Sequence, residues 1–316
     1  MFIKEAKIAG SLNHKSVIQV FDLGKVGEDY YISMEFVHGR DLRQITRACA
    51  RRRVPLPLPL AVYALGEVIA GLDYAHRRKD AQDRPLNIIH MDVSPQNVLV
   101  SFEGDVKIGD FGIAHAVGGE GKLRGGMLRG KYAYMSPEMA SGKPVDQRTD
   151  LFSAGVILHE LITGKRLFWE PDEFKVIENV RNCEVTPPSD INPSVPPRLN
   201  QIAMKALAKD PGKRYQSAQE MRADLTEVLF GFARVVDSAD LAELMRTLFD
   251  SSARQAPGST DLSNLISDVD RLRTAPRERP DALAGPREDA SLSESGGTGS
   301  TDGPEQPLPS AEEALS

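Results

Sequence analysis

The sequence predicts an α+β fold, mainly helical, with strands clustered before residue 40 and helices dominating after it. Three observations carry this. The runs VIQVFDLG and DYYISMEF stand either side of KVGE, the pattern of a β-hairpin. Later segments repeat apolar residues at helical spacing over long stretches. From residue 251 to Ser316 the apolar pattern gives way to Ser, Pro, Gly, Asp and Glu.

In order, residues 2–12 read as a helix, followed by that hairpin. Residues 60–76 place Ala61, Leu65, Val68, Ile69 and Leu72 on one face of a long amphipathic helix. NVLVSFEGDVKIGDF reads as a second hairpin, turning at Glu103-Gly104-Asp105. DLFSAGVILHELITG is apolar nearly all round and predicts a buried helix, with Thr149 as N-cap and Gly164 as its stop. Ser217 with Glu220 three residues on forms a capping box. Between Asp237 and Phe249, Leu241, Leu244, Met245 and Leu248 make a short amphipathic helix that docks on the domain or on a partner. The acidic segment 251–316 cannot bury enough apolar area to offset its ordering entropy and reads as disordered.

With 316 residues, 41% hydrophobic and 27% charged, the chain has an ordinary globular balance. A net charge of -6 and a pI near 5.6 argue against nucleic acid as a partner. Cys49 and Cys183 suggest no disulfide framework, and no Cys/His metal spacing is visible. The most apolar stretch, Leu60 to Leu72, is broken by Glu67, so no membrane span is expected. MFIKEAKIAG lacks the apolar core of a signal peptide, which makes the cytoplasm the default location.

The chemistry sits in the middle of the chain. Asp92, in His90-Met91-Asp92, precedes Asn97 by five residues, just before the strand VLVSF; across that hairpin comes Asp110-Phe111-Gly112. Two of these oxygen-bearing side chains suit Mg²⁺, which favours one or two carboxylates plus substrate phosphates. The third is left to orient a nucleophile. Such a set can perform phosphoryl transfer, where catalysis is positioning plus charge stabilisation.

HMDVSPQN resembles the protein kinase catalytic loop H-R-D-x-x-x-x-N, DFG is intact, and MSPE resembles the A-P-E element. TDLFSAGVILHELITG and KDPGKRYQSAQEM resemble the central helix and the closing segment of the kinase C-lobe. The resemblance covers about residues 2–232 and is nearest to bacterial Hanks-type Ser/Thr kinases. It implies a partial N-lobe over 1–36, a C-lobe over 37–232, the short helix 237–250 and the tail 251–316. It implies ATP and Mg²⁺ as cofactors and a protein with a Ser or Thr acceptor as substrate; the tail's partner is left open.

By resemblance, Asp92 is the base that accepts the substrate hydroxyl proton, and Asn97 and Asp110 are the Mg²⁺ ligands. Met34 matches the gatekeeper, Glu35 and Val37 the hinge backbone that bonds adenine, Asp41 a ribose contact, and Leu99 the apolar residue beneath the ring. Glu5 matches the helix-C glutamate. His90 and Asp150 match residues that hold the catalytic loop, and Glu138 with Arg214 a buried ion pair.

The sequence also departs from the family. By the resemblance the sequence starts at helix C, so the Gly-rich loop and strand lysine that precede it in the family are expected to be missing from this stretch, leaving Glu5 without a lysine partner. The expectation is that Met1 is an internal methionine of a longer gene, rather than the start of a truncated product kept for binding. As written, the chain is expected to be a poor kinase or none. Met91 replaces the arginine that reads an activation-loop phosphate, and no Ser or Thr lies between Phe111 and Tyr134. This implies a loop that needs no activating phosphorylation. Ser94 stands where Ser/Thr kinases carry a lysine near the γ-phosphate, and Lys131 where they carry a threonine. Either Lys131 supplies the charge from the other side, or it points to solvent and Ser94 is tolerated; the sequence leaves both open.

Overall fold

The computed structural model describes residues 10–26, 29–111 and 131–253. The hairpin forms as its alternation requires: β1 (Val20–Val26) pairs antiparallel with β2 (Asp29–Met34), with a bulge between Val20 and Asp22. A second sheet takes the order β3 (Gly39–Asp41), β4 (Val98–Ser101), β5 (Val106–Ile108), antiparallel throughout. The β4–β5 hairpin is the one the sequence announced. Its turn is closed by Ser101 N–H to the Asp105 carbonyl at 2.8 Å. The third strand, β3, is too short and polar to announce itself, and exists because β4 offers it a ladder.

The helices are α1 (Leu42–Arg52), α2 (Leu58–His76), α3 (Pro137–Ala140), α4 (Arg148–Thr163), α5 (Glu173–Asn182), α6 (Pro188–Ile191), α7 (Pro197–Ala206), α8 (Ala218–Phe230) and α9 (Ser238–Ala253). Helix α2 packs between α4 and α8, and α4 packs on α7. Leu65, Val68, Ile69, Leu151, Phe152 and Ile157 are all fully buried in this centre. Gly164 ends α4 in the left-handed region at φ 69°, which a residue without Cβ reaches at no steric cost. Ser217 caps α8 by accepting from Glu220 N–H, and Glu220 in turn accepts from Gln216 N–H at 2.9 Å.

Two sequence readings need correction. Thr149 does not cap α4. The cap residue is Gln147, which makes no side-chain bond; Thr149 lies inside the helix, where its buried hydroxyl donates to Glu138 at 2.9 Å. Glu67 also does not cut the apolar stretch short: it lies inside α2, whose 19 residues are long and apolar enough to cross a membrane by length and composition alone. Its apolar surface is spent on the protein interior: Glu67, which interrupts the pattern, binds Ser16 Oγ at 2.7 Å and Lys15, while Leu60, Leu65 and Leu72 are buried.

Leu12 and Val17 sink into the same core as the C-terminal helices. Backbone bonds from Ile18 N–H to the Ile108 carbonyl, 2.9 Å, and from Ile108 N–H to the Ser16 carbonyl, 2.9 Å, fasten this stretch beside β5. Helix α9 docks on the domain. Leu241, Met245 and Leu248 are buried, and the Arg40 guanidinium lies over both Phe102 and Phe249, at 5.4 and 5.5 Å from their centroids. The readings for Glu5, for Gly112 and most of the activation segment, and for the tail beyond Ala253 lie outside the described residues.

Candidate active site

The loop from His90 to Asn97 leaves α2 and enters β4, and its shape is fixed from beneath. Asp150, in the first turn of α4 and fully buried, accepts from the backbone N–H of His90 at 2.8 Å and of Met91 at 2.9 Å. His76, at the end of α2, bonds the same carboxylate at 2.8 Å. These contacts hold Met91 in the left-handed region at φ 62°, a conformation that a bulky residue adopts only when its surroundings enforce it. The His90 ring is buried against Phe111, with centroids 4.4 Å apart, and its Nε2 meets the Gly109 carbonyl at 2.8 Å. One histidine thus ties the loop to the segment that carries Asp110.

The loop delivers Asp92 and Asn97 together. Asn97 Nδ2 donates to the Asp92 carbonyl at 2.7 Å and to its Oδ2 at 2.9 Å. Lys131 Nζ forms an ion pair with the same Oδ2. Asp92 Oδ1 has no partner among the described residues. Asn97 Oδ1 is likewise free of hydrogen bonds there and is not sealed in the interior. The Gly109 N–H to Asn97 carbonyl bond, 2.9 Å, sets Asp110 beside Asn97. Asp110 is exposed and stands at φ 62°.

The donor set fits Mg²⁺: one amide oxygen and one exposed carboxylate, both hard ligands. Among the described residues there is no cluster of three or more His, Cys, Asp or Glu side chains able to hold a metal on its own.

A second group lines up on the outer face of the β3–β4–β5 sheet. Cross-strand partners share a face, and the register sets Asp41 opposite Leu99 and Leu99 opposite Lys107. Lys107 Nζ reaches Glu35 Oε1 at 2.9 Å, tying the segment after β2 to this row. Val98, Val100, Val106 and Ile108 point the other way, into the core. The Glu35 N–H is used by the Gln19 carbonyl at 2.8 Å; the Glu35 carbonyl and the Val37 N–H have no partner among the described residues. Met34 is partly exposed at the end of β2. Asp41 is the N-cap of α1, accepting from Gln44 N–H at 2.8 Å and from Gln44 Nε2 at 2.6 Å. Ser94 is buried, and its hydroxyl has no hydrogen-bond partner among the described residues.

The sequence did not single out Lys107 or His76. Lys107 was legible only as the outward residue of the alternating V-K-I, and His76 carried no pattern signal. Below the loop, Arg214 Nη1 and Nη2 meet the Glu138 carboxylate at 2.7 and 2.8 Å. Burial alone would raise the Glu138 carboxyl; the guanidinium more than offsets this and holds it below the usual carboxylate range.

The protein kinase domain model matches residues 1–225, and the chain belongs to that family. Its relatives include the tyrosine-protein kinase MasK of Myxococcus xanthus, 38% identical over 69% of this chain and 34% of the relative. They include the serine/threonine-protein kinase PknB of Mycolicibacterium smegmatis, 37% identical over 73% of this chain and 36% of the relative. PrkC of Bacillus subtilis, a serine/threonine-protein kinase, is 32% identical over 71% of this chain and 33% of the relative. The chain therefore spans about a third of the length of the curated relatives it matches.

Proposed function

We propose that this chain carries the catalytic machinery of a protein serine/threonine kinase, which moves the ATP γ-phosphoryl group to a Ser or Thr hydroxyl of a protein substrate. The observation that carries this reading is the state of the Asp92 carboxylate. One oxygen is pinned by Asn97 and Lys131, and the other has no partner among the described residues. A pinned carboxylate with one open oxygen can align an incoming hydroxyl and accept its proton as the new P–O bond forms.

ATP–Mg²⁺, when bound, supplies the transferable phosphoryl group and the charge that polarises it. Asn97 Oδ1 and Asp110 would hold the metal, and the Glu35 carbonyl and Val37 N–H would bond the adenine edge. Met34 and Leu99 would flank the base, and Asp41 would meet the ribose from its position as a cap. Lys131 takes the part of the loop cation here, since it reaches Asp92 while the Ser94 hydroxyl is buried.

The test is phosphate transfer by the full-length protein to a generic Ser/Thr substrate. Asp92→Asn is expected to reduce kcat by about 10²–10⁴-fold, the usual worth of a positioned base. Asp110→Asn should abolish transfer by removing the metal carboxylate. Retained activity in either variant overturns the assignment. An inactive wild-type protein that still binds partners would support the rival reading of a silent scaffold. Phosphate found on tyrosine alone would move the chain toward the activity named for MasK.

A further inference from the structure

Beside the catalytic loop lies a cavity of about 410 Å³ between α1 and the C-terminal half of α4. Its walls include Pro95, three residues beyond Asp92, and Tyr134, three residues beyond Lys131. The two stretches that bring Asp92 and Lys131 together therefore also form this cavity, and Arg43 N–H donates to the Pro95 carbonyl at 3.4 Å.

The lining is strongly unbalanced in charge. Five cations face it, Arg43, Arg47, Arg53, Lys165 and Arg166, against the single carboxylate of Glu160. That carboxylate is already engaged. It accepts from the Tyr134 hydroxyl at 2.7 Å and from Leu167 N–H at 3.2 Å, and Arg166 Nε stands 3.8 Å away. Burial pushes the Glu160 carboxyl up, which weakens it further as a counter-charge.

Arg43, Arg47 and Arg53 have no carboxylate partner among the described residues. Arg43 is depressed in pKa, first by burial and then by the neighbouring charges of Arg47 and Arg166, so its guanidinium sits in a field of like charge. Like charges are held this close when an anion joins them, because a concave, partly dry site concentrates the field. The activation segment ahead of Lys131 has the same bias, with Lys122, Arg124 and Arg129 against Glu120.

We infer that this cavity is a specificity site for an anionic side chain of the protein substrate, glutamate, aspartate or a phosphorylated residue, bound beside the acceptor hydroxyl. The inference rests on the kinase reading for its proximity to a phosphoryl-transfer centre. The site's preference for anions rests on the cavity alone. Arginine pairs suit both carboxylate and phosphate through their bidentate geometry.

The test uses the full-length protein and three peptides that differ only at residues flanking one serine: alanines, glutamates, or a phosphoserine. Two readouts are taken, kcat/KM for phosphorylation and fluorescence anisotropy for binding. The glutamate and phosphoserine peptides are expected to exceed the alanine peptide by about tenfold in both, with the advantage shrinking as salt rises. Arg47→Glu and Lys165→Glu each replace an exposed residue, so folding is not at risk, and each should bring the anionic-to-alanine ratio to about one. A higher phosphoserine ratio would identify phosphate as the preferred anion, and equal ratios a carboxylate-type site.

Efficient phosphorylation with no anionic preference overturns this inference and leaves the kinase reading standing. Anionic binding that depends on Arg47, without phosphate transfer, does the reverse. A preference that survives both charge reversals would place the anion elsewhere and also overturn the inference.

Discussion

The β1–β2 hairpin and the α2–α4 pair are both rich in apolar side chains, yet they dispose of them in opposite ways. Phe21 is 67% and Tyr30 53% exposed, whereas Leu65 and Phe152 are fully buried. The hairpin is held by its own ladder and by the contacts of Gln19 and Lys107 with Glu35. The helical body is held by interlocked side chains and by the buried Arg214–Glu138 ion pair. An isolated hairpin is at best marginal in water, while close-packed helices form one cooperative unit. The body sets the stability of the catalytic loop. The hairpin supplies only the approach to the hinge.

The largest effect should come from the buried ion pair. Arg214→Ala leaves the Glu138 carboxylate without its guanidinium and is expected to cost about 3–5 kcal/mol in urea unfolding. Phe21→Ala, in the hairpin, should stay within about 0.5 kcal/mol, as surface substitutions do. Similar losses for the two variants would dissolve the contrast between hairpin and body.

An intermediate effect should mark where the body ends. Gly104, at φ 91°, lies against α9, and a Cβ there would run into the Ser238 carbonyl. Gly104→Ala should therefore cost about 1–3 kcal/mol and loosen α9. Limited proteolysis near α9, compared with the wild type, reads this directly. An unaltered digestion pattern would mean that α9 does not share the stability of the body.

The smallest effect concerns Cys183, at the C-terminal end of α5. Burial pushes its thiol up to about 11 from an ordinary 9.0. Below pH 9 the thiol is protonated in both folded and unfolded chains, and its contribution to stability is fully present. As pH rises toward about 11 only the unfolded chain ionises, and that contribution is lost. Iodoacetamide labelling should be slow at pH 8 in the folded protein and faster in urea, since the thiolate is the reactive form. Equal rates would show that the body is open at α5.

Much of the candidate site was legible because its residues are close in sequence. Asp92 and Asn97 sit on one loop, and a two-stranded turn returns the chain to Asp110, so spacing alone carried the grouping. Lys107, His76 and the true role of Thr149 were not legible. Lys107 and His76 depend on partners far along the chain, Glu35 and Asp150, and Thr149 on Glu138 in a separate short helix. Strand β3 escaped for a similar reason, since three polar residues become a strand only when β4 presents its edge.

The sequence by itself determined the helical body, both hairpins and the order of the catalytic groups, because periodicity and loop spacing are properties of neighbouring residues. Tertiary structure decided that Lys131 meets Asp92 while the Ser94 hydroxyl is buried. It also decided that Arg43, Arg47 and Arg166 gather around one cavity. Arg43 and Arg47 lie one turn apart on α1, and only the tertiary fold brings them beside Arg166, which follows α4.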